Sequence, residues 1–259
     1  MAVDNRKIAV CYDLSPILVI YLEEITKIEV NRMNLFEKID ANIQDGYDLI
    51  SENNCQGGCD KWLDAWDDIK ALFEDGAARD IYELDKQYEW TQYIRNYAQD
   101  LELELHNAGL KDKAYHKKRA VYCEELLKWC GKNERITSST KRGMAEGYYE
   151  FGDTAIGEQL FQKWLRDDPD WGWGYIGWSD FYASDFFGSK QHEKAEEILL
   201  TGFARAELRD RIDVVDHLIC LYMDMGKPDK VEEYEKILSG LLPPVPVGSP
   251  FSRLGSNNQ

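Results

Sequence analysis

Apolar residues recur three and four positions apart along most of the chain, the period of helices with one buried face. Ile17, Ile20, Tyr21, Ile25 and Ile28 predict a helix that opens at Ser15-Pro16 and runs to about Val30. Leu35, Phe36, Ile39, Ile43, Tyr47 and Ile50 predict a second, ended by the Asn53-Asn54 and Gly57-Gly58 cluster, which reads as a loop. Trp62, Leu63, Trp66, Ile69, Leu72 and Phe73 predict a third, stopped near Gly76. From Ala77 to Leu105 the pattern is unbroken, which predicts one long helix or two joined by an unmarked bend, and a further helix covers about residues 113–129. Ile8 to Tyr12 suits a strand or a helix.

Beyond residue 137 the helices come in pairs. Segments 138–151 and 154–166 flank Gly152-Asp153, and segments 213–225 and 230–241 flank Gly226-Lys227-Pro228-Asp229. Between them, the stretch Asp168 to Tyr182 starts a helix at Pro169, with Asp168 or Asp170 as cap, and pairs with a helix over about 191–204. Its helix is apolar on two sides. Trp171, Tyr175, Trp178 and Tyr182 share one stripe; Trp173, Ile176, Gly177 and Phe181 share the other. An element apolar on both faces lies between other helices or faces a groove that receives a ligand.

The three pairs share a grammar. In the first, Met144, Ala145, Tyr148, Gly152, Gly157, Phe161 and Pro169 follow the spacing of the tetratricopeptide repeat, about 34 residues long. Trp173, Ile176, Gly177, Ala195 and Leu199 resemble the second copy, and Leu218, Tyr222, Gly226 and Val231 the third. Three departures stand out: Trp164 replaces a small residue, Asp180 replaces an aromatic one, and the middle turn near Phe186 to Gln191 is longer than the family's. Over residues 138–240 the chain therefore resembles tetratricopeptide-repeat proteins. The resemblance implies an all-α fold of about 10–12 helices, with hairpins stacked as an α-solenoid. A helical region precedes the repeats at 1–137, and a Pro-rich disordered tail with a Pro-Pro-Val-Pro segment follows at 241–259. As a whole the chain is also similar to bacterial helical-repeat proteins in which a Trp-Gly-Trp-Gly-Tyr-Ile-Gly-Trp-like segment precedes a SecA-type zinc motif. The residues after Gly240 include no Cys or His, so that zinc chemistry does not carry over.

By the resemblance, Trp173, Ile176, Gly177 and Phe181 pack within their own hairpin, and the concave face takes the first helix of each pair. Candidate partner-binding residues are then Arg142, Glu146, Tyr149, Trp171, Tyr175, Trp178, Tyr182, Asp216, Cys220 and Met223. The Trp171, Tyr175, Trp178 and Tyr182 stripe is either this surface or core between repeats. Relatives that grip a peptide's terminal carboxylate use several Lys, Arg and Asn at such positions, and only Arg142 would serve here.

The chain has a net charge of −17, which disfavours direct binding to nucleic acid or anionic membrane. No apolar run suits a membrane span and the start lacks a secretory pattern, so a cytoplasmic location is expected. Against this acidity, Lys111 to Arg142 holds ten Lys or Arg and four Asp or Glu, a local reversal that either binds an acidic partner or complements Asp100, Glu102 and Glu104. Six cysteines are too sparse for a disulfide scaffold, and Cys55 and Cys59 lack two further metal ligands at a defined spacing. Glu102 and His106, like Asp213 and His217, stand four apart, as locally paired side chains on acidic helices do. No nucleophile motif, phosphate-binding glycine loop or Glu-x-x-His pair is present. The sequence predicts a non-enzymatic scaffold, without cofactor or metal, for a protein or peptide that is basic or aromatic-rich. The alternatives are an acidic protein that imitates nucleic-acid phosphate in a basic cleft and a metal-dependent enzyme using Cys55, Cys59 or His106.

Overall fold

The computed structural model describes residues 16–187 and 190–243. Ser15, Cys11, the Ile8–Tyr12 segment, Gly188-Ser189 and the tail from Pro244 lie outside the described residues. Among the described residues the fold is all-helical, with eleven α-helices: α1 (Pro16–Ser51), α2 (Cys55–Glu74), α3 (Ile81–Leu84), α4 (Ile94–Gly109), α5 (Ala114–Leu126), α6 (Glu134–Phe151), α7 (Thr154–Asp167), α8 (Gly172–Ala183), α9 (His192–Phe203), α10 (Arg211–Asp224) and α11 (Pro228–Leu241). Among the described residues no helix is long and apolar enough to cross a membrane. Two compact units divide the chain, Met1–Tyr97 and Ala98–Gln259. Sequence reading puts a boundary after residue 137 instead, because only the repeats beyond it share a recognisable grammar.

The first unit rests on α1 against α2. The two helices expected over 17–30 and 35–50 are one, since residues 31–34 contain neither Gly nor Pro to stop a helix. Along it Tyr21, Ile28, Val30 and Met33 are exposed, while Phe36, Ile39 and Ile43 are buried. The Gly57-Gly58 loop is also corrected. Both glycines lie in the first turns of α2, where the Asn54 side chain accepts a hydrogen bond from the Gly57 N–H (3.1 Å). A Cβ on Gly58 would stand 2.5 Å from Ile50 Cγ1 and 2.8 Å from the Gly46 carbonyl oxygen, so the glycine here permits close helix approach.

The pattern from Ala77 to Leu105 is broken by tertiary hydrogen bonding. Asp80 caps the single turn α3, and the buried Asp85 then accepts from the Ile94 N–H (2.6 Å) and Arg95 Nη1 (2.7 Å), which starts α4 afresh. Burial pushes the Asp85 carboxyl above its ordinary range, with the Ile94 N–H and Arg95 opposing.

In the second unit α6 pairs with α7, α8 with α9 and α10 with α11, with ends within a few residues of those expected. Turns close where glycine takes positive φ, at Gly152 (114°) and Gly226 (66°). α8 touches α6 and α10, and α5 packs closely on α6. Trp164 accommodates its own bulk by meeting Trp171, at the entrance of the next helix, edge-on at 6.2 Å. The Asp-Pro-Asp cap is not formed: α8 starts three residues after Pro169, and Asp168 and Asp170 pair instead with Arg209 (2.5 Å) and Arg205 (3.3 Å).

Candidate functional site

A cleft of about 670 Å³ opens in the second unit, lined by Glu134, Arg135, Ser138, Lys141 and Arg142 of α6, by Asp168 and Trp171 before α8 and Trp173 within it, and by Arg209 and Asp210 before α10. Glycine brings these walls together. A Cβ on Gly172 would collide with the Arg209 carbonyl oxygen and come within 3.0 Å of Asp210 Cβ, so only glycine lets the 209–210 turn lie against α8. Asp210 adopts a left-handed backbone (φ 54°). Burial pushes its carboxyl upward, with the Trp173 N–H opposing.

Aromatic rings and cations line the cleft. Arg142 lies over the Trp173 ring at 4.8 Å, and Lys141 over Trp171 at 5.4 Å. Trp171 is buried, and its Nε1 donates to Ser138 Oγ at 2.6 Å. Two of the anions are engaged, since Arg209 pairs with Glu134 (3.1 Å) and Asp168 (2.5 Å). Arg135 is exposed, and neither it nor Lys141 has a carboxylate partner among the described residues.

The expected residues part company. Arg142 and Trp171 line this cleft. Tyr175 is buried and donates to the Pro169 carbonyl oxygen (3.0 Å). Tyr149 is buried, stacked on Phe181 at 4.0 Å, and its hydroxyl donates to Glu158 of α7. Trp178 Nε1 (2.8 Å) and the Tyr182 hydroxyl (3.0 Å) donate to that same Glu158 oxygen, so half the stripe forms an internal clasp. Burial, reinforced by Glu158, raises the Tyr149 and Tyr182 phenols, the latter to about 12. Asp216, Cys220 and Met223 are exposed on α10, outside the cleft.

The division of the α8 aromatics therefore differs from the expectation at Trp173. Assigned to its own hairpin, it is half-buried on the cleft wall, with its ring edge-on to His217 at 5.9 Å. Arg135, Ser138, Lys141, Arg209 and Asp210 were missed. For two of these positions a signal existed, since Arg135 and Lys141, with the expected Arg142, close the basic window that begins at Lys111.

Glu146 lies elsewhere, in a buried network with Arg119 of α5, whose guanidinium meets Glu102 (2.5 Å), Glu146 (2.8 Å) and Glu150 (3.1 Å). Burial opposes the charge on Arg119, but these carboxylates outweigh it and hold its pKa up. Burial likewise disfavours the Glu146 carboxylate, and Arg119 and Arg142 overcome it and hold its pKa down. Glu102 and His106 are thus more than a local pair: each reaches across to another helix, Glu102 to Arg119 and His106 Nδ1 to Glu150 (3.1 Å). His217 instead turns Nδ1 to the Asp213 carbonyl oxygen (2.8 Å). Cys59 is buried in α2.

No protein-family model, curated protein or solved structure compared with the chain matches it.

Proposed function

We propose that this protein is a non-enzymatic binding scaffold of tetratricopeptide-like helical hairpins, and that the cleft between α6 and α8 takes a segment of a partner protein. The single observation that carries the reading is the pairing of Arg142 with Trp173 beside Lys141 and Trp171 on a cleft of about 670 Å³, large enough for one or two partner side chains. Aromatic faces supply contact area, and cations over them orient a planar or anionic group.

The cleft's own charges revise the partner. Two of its carboxylates, Glu134 and Asp168, are engaged by Arg209, whereas Arg135 and Lys141 keep uncompensated charge. An aromatic side chain followed or preceded by Asp or Glu suits these walls better than the basic segment suggested by the chain's total of −17. The local field at a site, and not net charge, selects what binds there.

Selection from a random peptide-display library tests this reading. We expect enrichment of peptides with an aromatic residue beside an acidic one, and loss of that enrichment for Trp173→Ala and for Arg135→Glu, with helical circular dichroism unchanged. Enrichment that survives both substitutions, or no enrichment by the native chain, refutes the assignment.

A further inference from the structure

Three helices of the second unit converge on one carboxylate. α4 presents Glu102 and His106 on one face, α5 presents His116 and Arg119, and α6 presents Glu146 and Glu150. Glu150 Oε1 lies 3.1 Å from His106 Nδ1, and its Oε2 lies 2.9 Å from His116 Nδ1. One ligand atom from each of these three residues lies within 4.8 Å of the others.

His116 is the informative member. It is 5% exposed, and its Nδ1 has no hydrogen-bond partner: the 2.9 Å approach to Glu150 lacks the alignment of a hydrogen bond. A buried ring nitrogen beside a carboxylate oxygen, with no proton directed between them, is an arrangement that a shared cation relieves. The backbone is shaped for it. A Cβ on Gly109 would strike the His116 ring, and a Cβ on Gly147 would stand 2.7 Å from the His116 carbonyl oxygen, so glycine at both positions admits α5 to the site.

We infer that His106, His116 and Glu150 form a binding site for one divalent transition-metal ion of the zinc type. Two imidazoles and one carboxylate are a ligand set for such ions, with a fourth position left to water. Bonds of about 2.0–2.1 Å in tetrahedral geometry separate ligand atoms by about 3.3 Å; Glu150 Oε2 lies 3.3 Å from His106 Nδ1 and 2.9 Å from His116 Nδ1, so only the second approach needs to widen, by a few tenths of an ångström. The side chain of His106 is 32% exposed and gives the ion a route from solvent. The adjacent guanidinium opposes a cation, Arg119 Nη1 being 3.5 Å from His106 Nδ1. Glu102 and Glu146 hold that guanidinium by its other donors, so its charge is largely answered without Glu150. Together they supply the outer carboxylates that metal sites commonly use to orient their ligands.

The test is titration of the chelator-treated full chain with zinc(II) by calorimetry, and with cobalt(II) by visible absorption. We expect one ion per chain with a dissociation constant of about 1 μM or tighter and the intense ligand-field bands of four-coordinate cobalt. Glu150→Gln and His106→Asn should each weaken binding at least tenfold. The second replaces the most exposed ligand and is checked for folding by circular dichroism. Absence of saturable binding overturns the inference, as does binding of unchanged strength in His106→Asn, which would place the ion at other groups such as Cys55 and Cys59. Peptide selection by the cleft is independent of either outcome.

Discussion

Removing the Glu158 carboxylate isolates one clasp from the rest of the helical pairs. Its Oε2 accepts from the hydroxyls of Tyr149 and Tyr182 and from Trp178 Nε1, which ties α6, α7 and α8 together. In Glu158→Ala the three donors fare differently. Trp178 and Tyr182 are half-buried and recover hydrogen bonds with water, a loss of about 1 kcal/mol together. Tyr149 is 1% exposed, so bulk water does not replace Glu158 at its hydroxyl, which costs about 2 kcal/mol more. The expected destabilisation is therefore about 3 kcal/mol. Tyr149→Phe, which leaves Glu158 with two donors, should cost about 1 kcal/mol. If the buried Tyr149 hydroxyl dominates, adding Glu158→Ala to Tyr149→Phe costs only about 1 kcal/mol, so the double-mutant cycle shows about 2 kcal/mol of coupling. Urea unfolding followed by tryptophan fluorescence and circular dichroism measures all four proteins. Additive effects, or a Glu158→Ala loss below about 0.5 kcal/mol, refute the reasoning. The same clasp predicts alkaline behaviour. Tyr149 and Tyr182 titrate above the ordinary tyrosine value when folded, so their stabilisation is complete below about pH 10 and declines as pH rises toward the Tyr182 value of about 12. Tyr149→Phe should flatten that decline.

Two further substitutions probe packing and burial. Arg119→Met leaves Glu102, Glu146 and Glu150 crowded without their shared buried guanidinium, and should lower stability in urea by about 3 kcal/mol. A loss under about 1 kcal/mol would mean that solvent screens the network. Gly58→Ala should lower the melting temperature although alanine favours a helix by about 1 kcal/mol. The new methyl meets Ile50 and the Gly46 backbone, and overpacking there costs about 1–3 kcal/mol. A raised melting temperature would show that α1 and α2 separate freely.

Legibility in the sequence followed the range of the interactions. The turns at Gly152 and Gly226 were readable because positive φ is a local demand that glycine meets. The break before α4 was not, since it depends on Asp85 reaching Ile94 and Arg95 across nine and ten residues. Gly57-Gly58 misled for the complementary reason: a glycine pair marks a turn locally, but here it serves contact with α1.

By itself the sequence determined the helical pairs from α6 to α11, with ends within a few residues, because helical periodicity and turn chemistry act between near neighbours. Only the tertiary structure decided what the two aromatic stripes of α8 do. Trp178 and Tyr182 face an acceptor on α7, and Trp173 faces a cation on α6, while a helical period states only which residues share a side and not what stands opposite. It likewise placed His106, His116 and Glu150 together from three helices, a convergence carried by no spacing along the chain.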